Sequence, residues 1–288
     1  MTARATSLAA LLTLAGLAAT ATACGTAEPP SLLASGKVLV GVKSDQPGTG
    51  YTLDGYNPSG FDITLARHVL ASLHVEPDFG AVPSEDRMTV LTEKKKDLIV
   101  ATFSITPDRM AKLDFAGPYA NTFQGVLVRK ADHRIAKPSD VIGKRVCTWP
   151  GTTSYNSFNG PEGQGIRVYQ SQTAQGCIAD LRRNDADAVS TDQMILYGFA
   201  KKYPDLKVVP NITYGPVNQY GIAMAKGHHA DCLKIRDALK EYVTSSDWSQ
   251  DFANSLPAIP ATDPDWEGNY KPRPTNIDAL SCRDKPSF

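Results

Sequence analysis

Two hydrophobic spacings alternate along this chain. Short apolar runs rich in β-branched residues recur at 37–42, 98–103, 124–130, 145–148, 166–169, 186–190 and 206–209, the pattern of buried strands. Between them, Phe61, Leu65, Val69 and Leu73 return at helical spacing, and 173–183 and 193–202 have the same character. These are amphipathic helices laid on a sheet, so the chain is expected to be α/β. The alternation comes in two series. The second, from about 131 to 218, is inserted in the first, and 219–224 makes the return crossing; two lobes with two crossings follow.

One strand-to-helix passage carries candidate chemistry. After 98–103 the sequence turns polar at Ser104, and a helix start follows: Thr106 can cap, Pro107 suits the first helical position, and Asp108 favours the positive helix end. Arg109 therefore falls in a first helical turn beside the carboxyl end of a strand, the crevice where open α/β sheets bind ligands. Thr102 and Ser104 supply hydroxyls, and the Arg109 guanidinium matches a carboxylate bidentately. A surface arginine after a turn would look the same. Ser84 is expected to cap a helix that opens with Arg87, which is either a cation aimed at the same crevice or a solvated first-turn residue.

Two further turns belong with these. Trp149-Pro150-Gly151-Thr152-Thr153-Ser154 leads from a strand into a helix, where backbone N–H groups form an anion site. Asp192 follows the strand 186–190. It can cap the next helix.

Composition narrows the function classes. With 30 basic and 30 acidic residues in 288 and a pI near 6.9, no basic field is available for nucleic acid. Lys94-Lys95-Lys96 reads as a favourable helix C-terminus. The histidines lack metal-ligand spacing, so neither a metal nor a cofactor is expected. Residues 1–23 read as a signal peptide: Arg4, an apolar stretch from Ser7 to Ala19, then Ala21-Thr22-Ala23. Cys24-Gly25 resembles a lipobox, although Ala21 stands where Leu is preferred. Lipidation at Cys24 and simple cleavage at that point are the two alternatives. Residues 24–35 would then form a tether. Five cysteines are odd in number, and setting Cys24 aside as a lipid anchor leaves Cys147, Cys177, Cys232 and Cys282, which allow three pairings.

Ser104-Ile105-Thr106-Pro107-Asp108-Arg109 followed by Leu113-Asp114-Phe115-Ala116-Gly117-Pro118-Tyr119 resembles the central signature of the family 3 solute-binding proteins, the polar amino acid receptors of ABC importers. Gly60-Phe61-Asp62-Ile63 resembles the family's other signature, with Thr64 where a second Asp is usual. The likeness runs to about residue 256. It implies a two-lobed, type II periplasmic-binding-protein-like fold with two hinge crossings. The lobes would comprise 36–128 with 222–288, and 129–221. Pairing within each lobe leaves a hinge free, so Cys147–Cys177 and Cys232–Cys282 are the expected disulfides.

The resemblance also implies a ligand set. The turn from Lys43 to Gly48 lies in the cleft, with Asp45 in it, and its Asp-Gln-Pro-Gly form resembles actinobacterial glutamate-binding lipoproteins. Arg109 with Thr153 and Thr152 would take an α-carboxylate, beside Thr102 and Ser104. Asp192 would take the α-ammonium. Arg87, with Lys43 in reserve, would select an acidic side chain, glutamate or next aspartate; Asp86 replaces the usual Asn there and could draw Arg87 away. The implied protein is not an enzyme. It is a monomeric lipoprotein on the outer face of the cell membrane, with an ABC permease as partner. Two alternatives use the same fold: a sensory module for a membrane signalling partner, or a secreted prephenate-type (cyclohexadienyl) dehydratase with Asp45 or Glu162 as general acid.

Overall fold

The computed structural model describes Thr2 and residues 29–285. The leader and Cys24 lie outside the described residues. The first lobe opens with β1 (Lys37–Val42), which buries Val38, Val40 and Val42 and exposes Lys37 and Leu39. A small antiparallel sheet follows, β2 (Asp45–Gln46), β3 (Gly50–Thr52) and β4 (Pro58–Ser59). Next come α1 (Phe61–Ser72), β5 (Glu76–Ala81), α2 (Arg87–Thr92), β6 (Leu98–Ile99) and the one-turn α3 (Pro107–Met110). β1 pairs in parallel with β5 and β6, so helices cross over the sheet and bury their apolar stripes on it.

The chain then runs through β7 (Leu113–Arg129) into the second lobe. That lobe comprises β8 (Arg145–Thr148), α4 (Thr153–Phe158), β9 (Arg167–Gln170), α5 (Ala174–Arg182), β10 (Ala188–Asp192), α6 (Gln193–Lys202) and β11 (Leu206–Val208). It returns along β12 (Tyr214–Ala225) to α7 (His229–Thr244), α8 (Ser246–Ser255), α9 (Trp266–Tyr270) and α10 (Pro274–Leu280). Because β7 and β12 belong to both lobes, their strands form one continuous ladder, β5-β1-β6-β12-β7-β10-β8-β9, with β11 also on β7. The cores remain separate except at α6, whose Met194 is buried in the core of the first lobe. On β7, Tyr119 and Ala120 pack in the first lobe and Val126 to Val128 in the second.

Disulfides join Cys147 to Cys177 (Cα–Cα 5.5 Å) and Cys232 to Cys282 (5.8 Å), each within one lobe. The tail after α8 is pinned along β7: Ser281 Oγ and the Gly117 main chain exchange hydrogen bonds, and the Cys282 N–H donates to the Phe115 carbonyl (2.7 Å).

Two local expectations need correction. The strand expected over 98–103 stops at Ile99, since Thr102 adopts φ 47°. Its N–H is turned to the Asp62 carboxylate (2.8 Å) instead of a neighbouring strand. Ser84 does not cap α2. The cap position is Asp86, without a side-chain capping bond, and the Ser84 carbonyl is drawn to Arg87 Nε (2.9 Å).

Candidate functional site

The seam between the lobes is built from backbone that leaves regular structure early. From the first lobe come the β1–β2 turn, the turn before α2 and the bend at 100–106; from the second come the turn into α4 and the end of β10. The bend is fixed from behind. Tyr119 OH donates to Asp62 Oδ1 (2.9 Å) and accepts from the Thr102 N–H (3.2 Å), while Thr102 Oγ1 donates to Gln46 Oε1 (2.9 Å). Burial raises the Asp62 carboxyl to about 7 against these hydrogen bonds.

Two guanidiniums face this bend. Arg87, 2% exposed, donates to the carbonyls of Ser84, Ala101, Thr102 and, across the seam, Gly151 (2.7 Å). Asp86 is not among its partners, and Arg87 is not solvated. Arg109 sits in α3, where the Thr106 hydroxyl accepts its N–H (3.3 Å), and donates to the carbonyls of Ser104 (2.8 Å) and Gly151 (2.9 Å). Both lie against the Phe103 ring, 4.5 and 4.4 Å from its centroid. Burial lowers Arg87 to about 10; burial and then the Arg87 charge lower Arg109 to about 9. Both remain cations at neutral pH.

The Gly151 carbonyl is thus a shared acceptor supplied by the other lobe. Gly151 has φ +76°, and a Cβ there would lie 2.5 Å from the Ser84 carbonyl oxygen, so the turn can approach only as glycine. Thr152 caps α4: its Oγ1 accepts the Tyr155 N–H (3.1 Å) and donates to the Trp149 carbonyl (2.8 Å). Thr153 begins that helix.

Asp192 closes the opposite wall. It occupies the cap position of α6 but makes no side-chain capping bond. Its carboxylate instead accepts from Asn218 Nδ2 (2.7 Å) and Tyr220 OH (2.6 Å). Burial raises its pKa against those two bonds. Lys43, also buried, pairs with Asp45 at 3.2 Å and donates to the Val82 carbonyl (3.2 Å), and burial lowers its pKa.

The nominated residues divide among adjoining spaces. A small cavity of about 10 Å³, room for about one water molecule, brings together Arg87, Thr102, Ser104, Thr152, Thr153 and Asp192. Arg109 lines a neighbouring groove with Phe103, Gly151 and Thr153. Lys43 and Asp45 line a third space with Trp149. Ser84 borders all three. Sequence reasoning did not nominate Gln46, Thr191 or Ile195 for the cavity wall. It also left out Ser84 Oγ and Trp149 Nε1, buried polar atoms with no hydrogen-bond partner in the protein. Nothing in residue type distinguishes them; only Gln46, inside the Asp-Gln-Pro-Gly turn, carried a signal. Among the described residues no group of three or more His, Cys, Asp or Glu side chains is gathered to hold a metal.

The chain as a whole has matches among known proteins. The model of the bacterial extracellular solute-binding proteins, family 3, matches residues 38–253. The glutamate-binding protein GluB of Corynebacterium efficiens is 35% identical over 201 residues, 66% of this chain and 67% of its own. GluB of Corynebacterium glutamicum is 31% identical over 237 residues, 77% and 80% of the two chains. A glutamine-binding protein of Geobacillus stearothermophilus is 30% identical over 233 residues, 76% and 84%. Among solved structures, an ancestral arginine-binding protein bound to glutamine is similar with TM-score 0.70 and 27% identity, covering 77% of this chain and 98% of that one. The cysteine-binding protein from Campylobacter jejuni gives 0.71 and 26%, covering 78% and 91%.

Proposed function

Because this chain belongs to the family 3 bacterial extracellular solute-binding proteins, we propose that it is a receptor for an acidic amino acid, glutamate before aspartate, which it delivers to an ABC importer by hinge closure. The observation that carries the ligand class is a charge count at the seam. Lys43 is paired with Asp45, and Asp192 stands opposite, which leaves two buried guanidiniums, Arg87 and Arg109. An α-amino acid brings one ammonium for Asp192 and one carboxylate. The second guanidinium calls for a second carboxylate.

In this proposal Arg109 and Thr153 take the α-carboxylate, with Thr102, Ser104 and Thr152 around it, and Asp192 takes the α-ammonium. Arg87 faces the side-chain carboxylate through its charge and the N–H that its four carbonyl partners leave over. Lys43, beside Asp45, shares that duty. The similarity to two GluB proteins supports the same ligand. We assign 36–128 with 222–288 to one lobe and 129–221 to the other, with edges that fall at the hinge strands. Lipidation of the monomer at Cys24 would hold it at the outer face of the cell membrane beside its permease; Cys24→Ser should then release it to the medium.

A thermal-shift screen of all amino acids and common dicarboxylates, followed by calorimetry, tests the ligand. Glutamate should raise the melting temperature most, because it binds only the native state. Arg109→Ala and Asp192→Ala should each lose roughly 3–5 kcal/mol, about a hundred-fold to a few thousand-fold in affinity. If both bind glutamate within a few-fold of the parent, the site is elsewhere.

A further inference from the structure

Helix α6 divides its side chains between the lobes. Ile195, Leu196 and Phe199 pack in the core of the second lobe. Met194, Gly198 and Lys202, spaced four apart, form a stripe along the other face. Met194 is fully buried in the core of the first lobe, and Tyr197 packs against that core. At Gly198 the main chain of the Asp-Gln-Pro-Gly turn rests directly on the helix. A Cβ at 198 would overlap the Pro47 carbonyl oxygen, a main-chain atom that cannot rotate aside. One turn further, Lys202 Nζ bonds to Tyr51 OH and lies 3.9 Å from the centre of that ring. Lys202 itself is exposed.

None of Gly198, Lys202, Pro47 and Tyr51 lines the cavity that holds Asp192. Their connection to it runs through the backbone. Asp192 immediately precedes α6, and Gln46, on the cavity wall, immediately precedes Pro47. Seating the turn on the helix therefore brings the two walls of the cavity to their distance. Glycine weakens a helix interior relative to alanine, so its use here serves the close approach and not the helix.

We infer that Gly198 and Lys202 are positioning residues that set ligand affinity through lobe closure: Gly198 lets the turn seat on α6, and Lys202 latches Tyr51 once it has. The apparent dissociation constant rises as the closed, binding-competent fraction falls. The inference deepens the receptor assignment above and rests on it for the affinity arm of its test.

The test uses L-glutamate, stopped-flow and calorimetric binding, and a fluorophore pair with one label on each lobe. Gly198→Ala should lengthen the interlobe distance and weaken glutamate about tenfold or more, chiefly through faster dissociation. The ligand-free melting temperature should hold or rise, because helix propensity improves. Lys202→Ala should weaken glutamate several-fold while Lys202→Arg, which keeps the cation over Tyr51, retains parental affinity. Parental affinity and parental distance in Gly198→Ala, or equal losses in Lys202→Ala and Lys202→Arg, would overturn the inference. The distance is read without ligand as well, so it bears on the latch even if the parent proves to bind no amino acid. That last result would remove the receptor assignment alone.

Discussion

At the scale of single residues, the buried charges decide what the seam can hold. A guanidinium without a counter-charge in a closed cleft is costly, and an amide ligand cannot supply one. The glutamate-to-glutamine affinity ratio should therefore exceed one in the parent and fall at least tenfold in Arg87→Ala; Lys43→Ala should lower it less, because Asp45 already pairs that ammonium. A parent that prefers glutamine, or a ratio unmoved by either change, would refute the charge count. Asp62 makes a separate prediction. Its carboxyl is raised from 3.8 to about 7 in the fold, so the folded state holds a proton that the unfolded state has lost across that window. Stability contributed by this group is greatest below the window and declines as pH rises through it, by at most about 1.4 kcal/mol per unit. The difference in unfolding free energy between parent and Asp62→Asn, followed from pH 4 to 8 in urea, should show that decline and flatten above pH 7. Residue types joined to the family resemblance single out Arg109, Asp192 and the threonines as candidates. They do not show that Arg87 is spent largely on carbonyls, since those come from three separate turns.

Secondary elements were more legible than the site, and the reason is periodicity. β1, β8 and α6 fall where their apolar spacing puts them, because burial on a sheet enforces a period. The run 98–103 is as apolar as any strand, yet only Leu98 and Ile99 pair as one. There a tertiary interaction, the Asp62 carboxylate on the Thr102 N–H, overrides local propensity. Gly117 and Pro118 hid the full length of β7, since they read as breaks but lie inside the strand. The tail, aperiodic in sequence, is held by contacts no spacing reveals: Trp266 stacks on Phe252 (5.2 Å), and Tyr270 OH donates to Gln193 on α6 (2.9 Å). Cys232–Cys282 closes that tail over 50 residues of sequence and Cys147–Cys177 closes 30. Each should contribute roughly 2–4 kcal/mol. In Cys232→Ser/Cys282→Ser, α10 should become open to protease and exchange its amides faster, while glutamate affinity stays within a few-fold. Unchanged protection of α10 would mean the hydrogen bonds to Gly117 and Phe115 suffice without the bridge.

For the whole molecule, the two-lobed plan follows from one strand–helix series inserted in another, but the joint itself does not show in the sequence. β7 and β12 pass through both lobes, and their pairing is irregular between Tyr214 and Asn218 and again between Tyr220 and Ile222. Register shifts of this kind interrupt the ladder and bend a strand, and they lie where the chain changes lobe. Closure presses the Gly151 turn against two guanidiniums at once, and the Arg87 charge is already felt at Arg109. Without an anion between the walls, that repulsion and the desolvation of both cations oppose the closed form. The proposed acidic amino acid would offset both, and Asp192 would gain an ammonium. The closed arrangement should thus be populated mainly with ligand, the differential affinity supplying the shift. Small-angle scattering of the ligand-free protein should give a larger radius of gyration than in saturating glutamate. Arg109→Ala, which removes one of the opposing charges, should bring the ligand-free curve closer to the closed one even as glutamate affinity falls. If parent scattering is the same with and without glutamate under conditions where calorimetry shows binding, delivery by hinge closure is wrong.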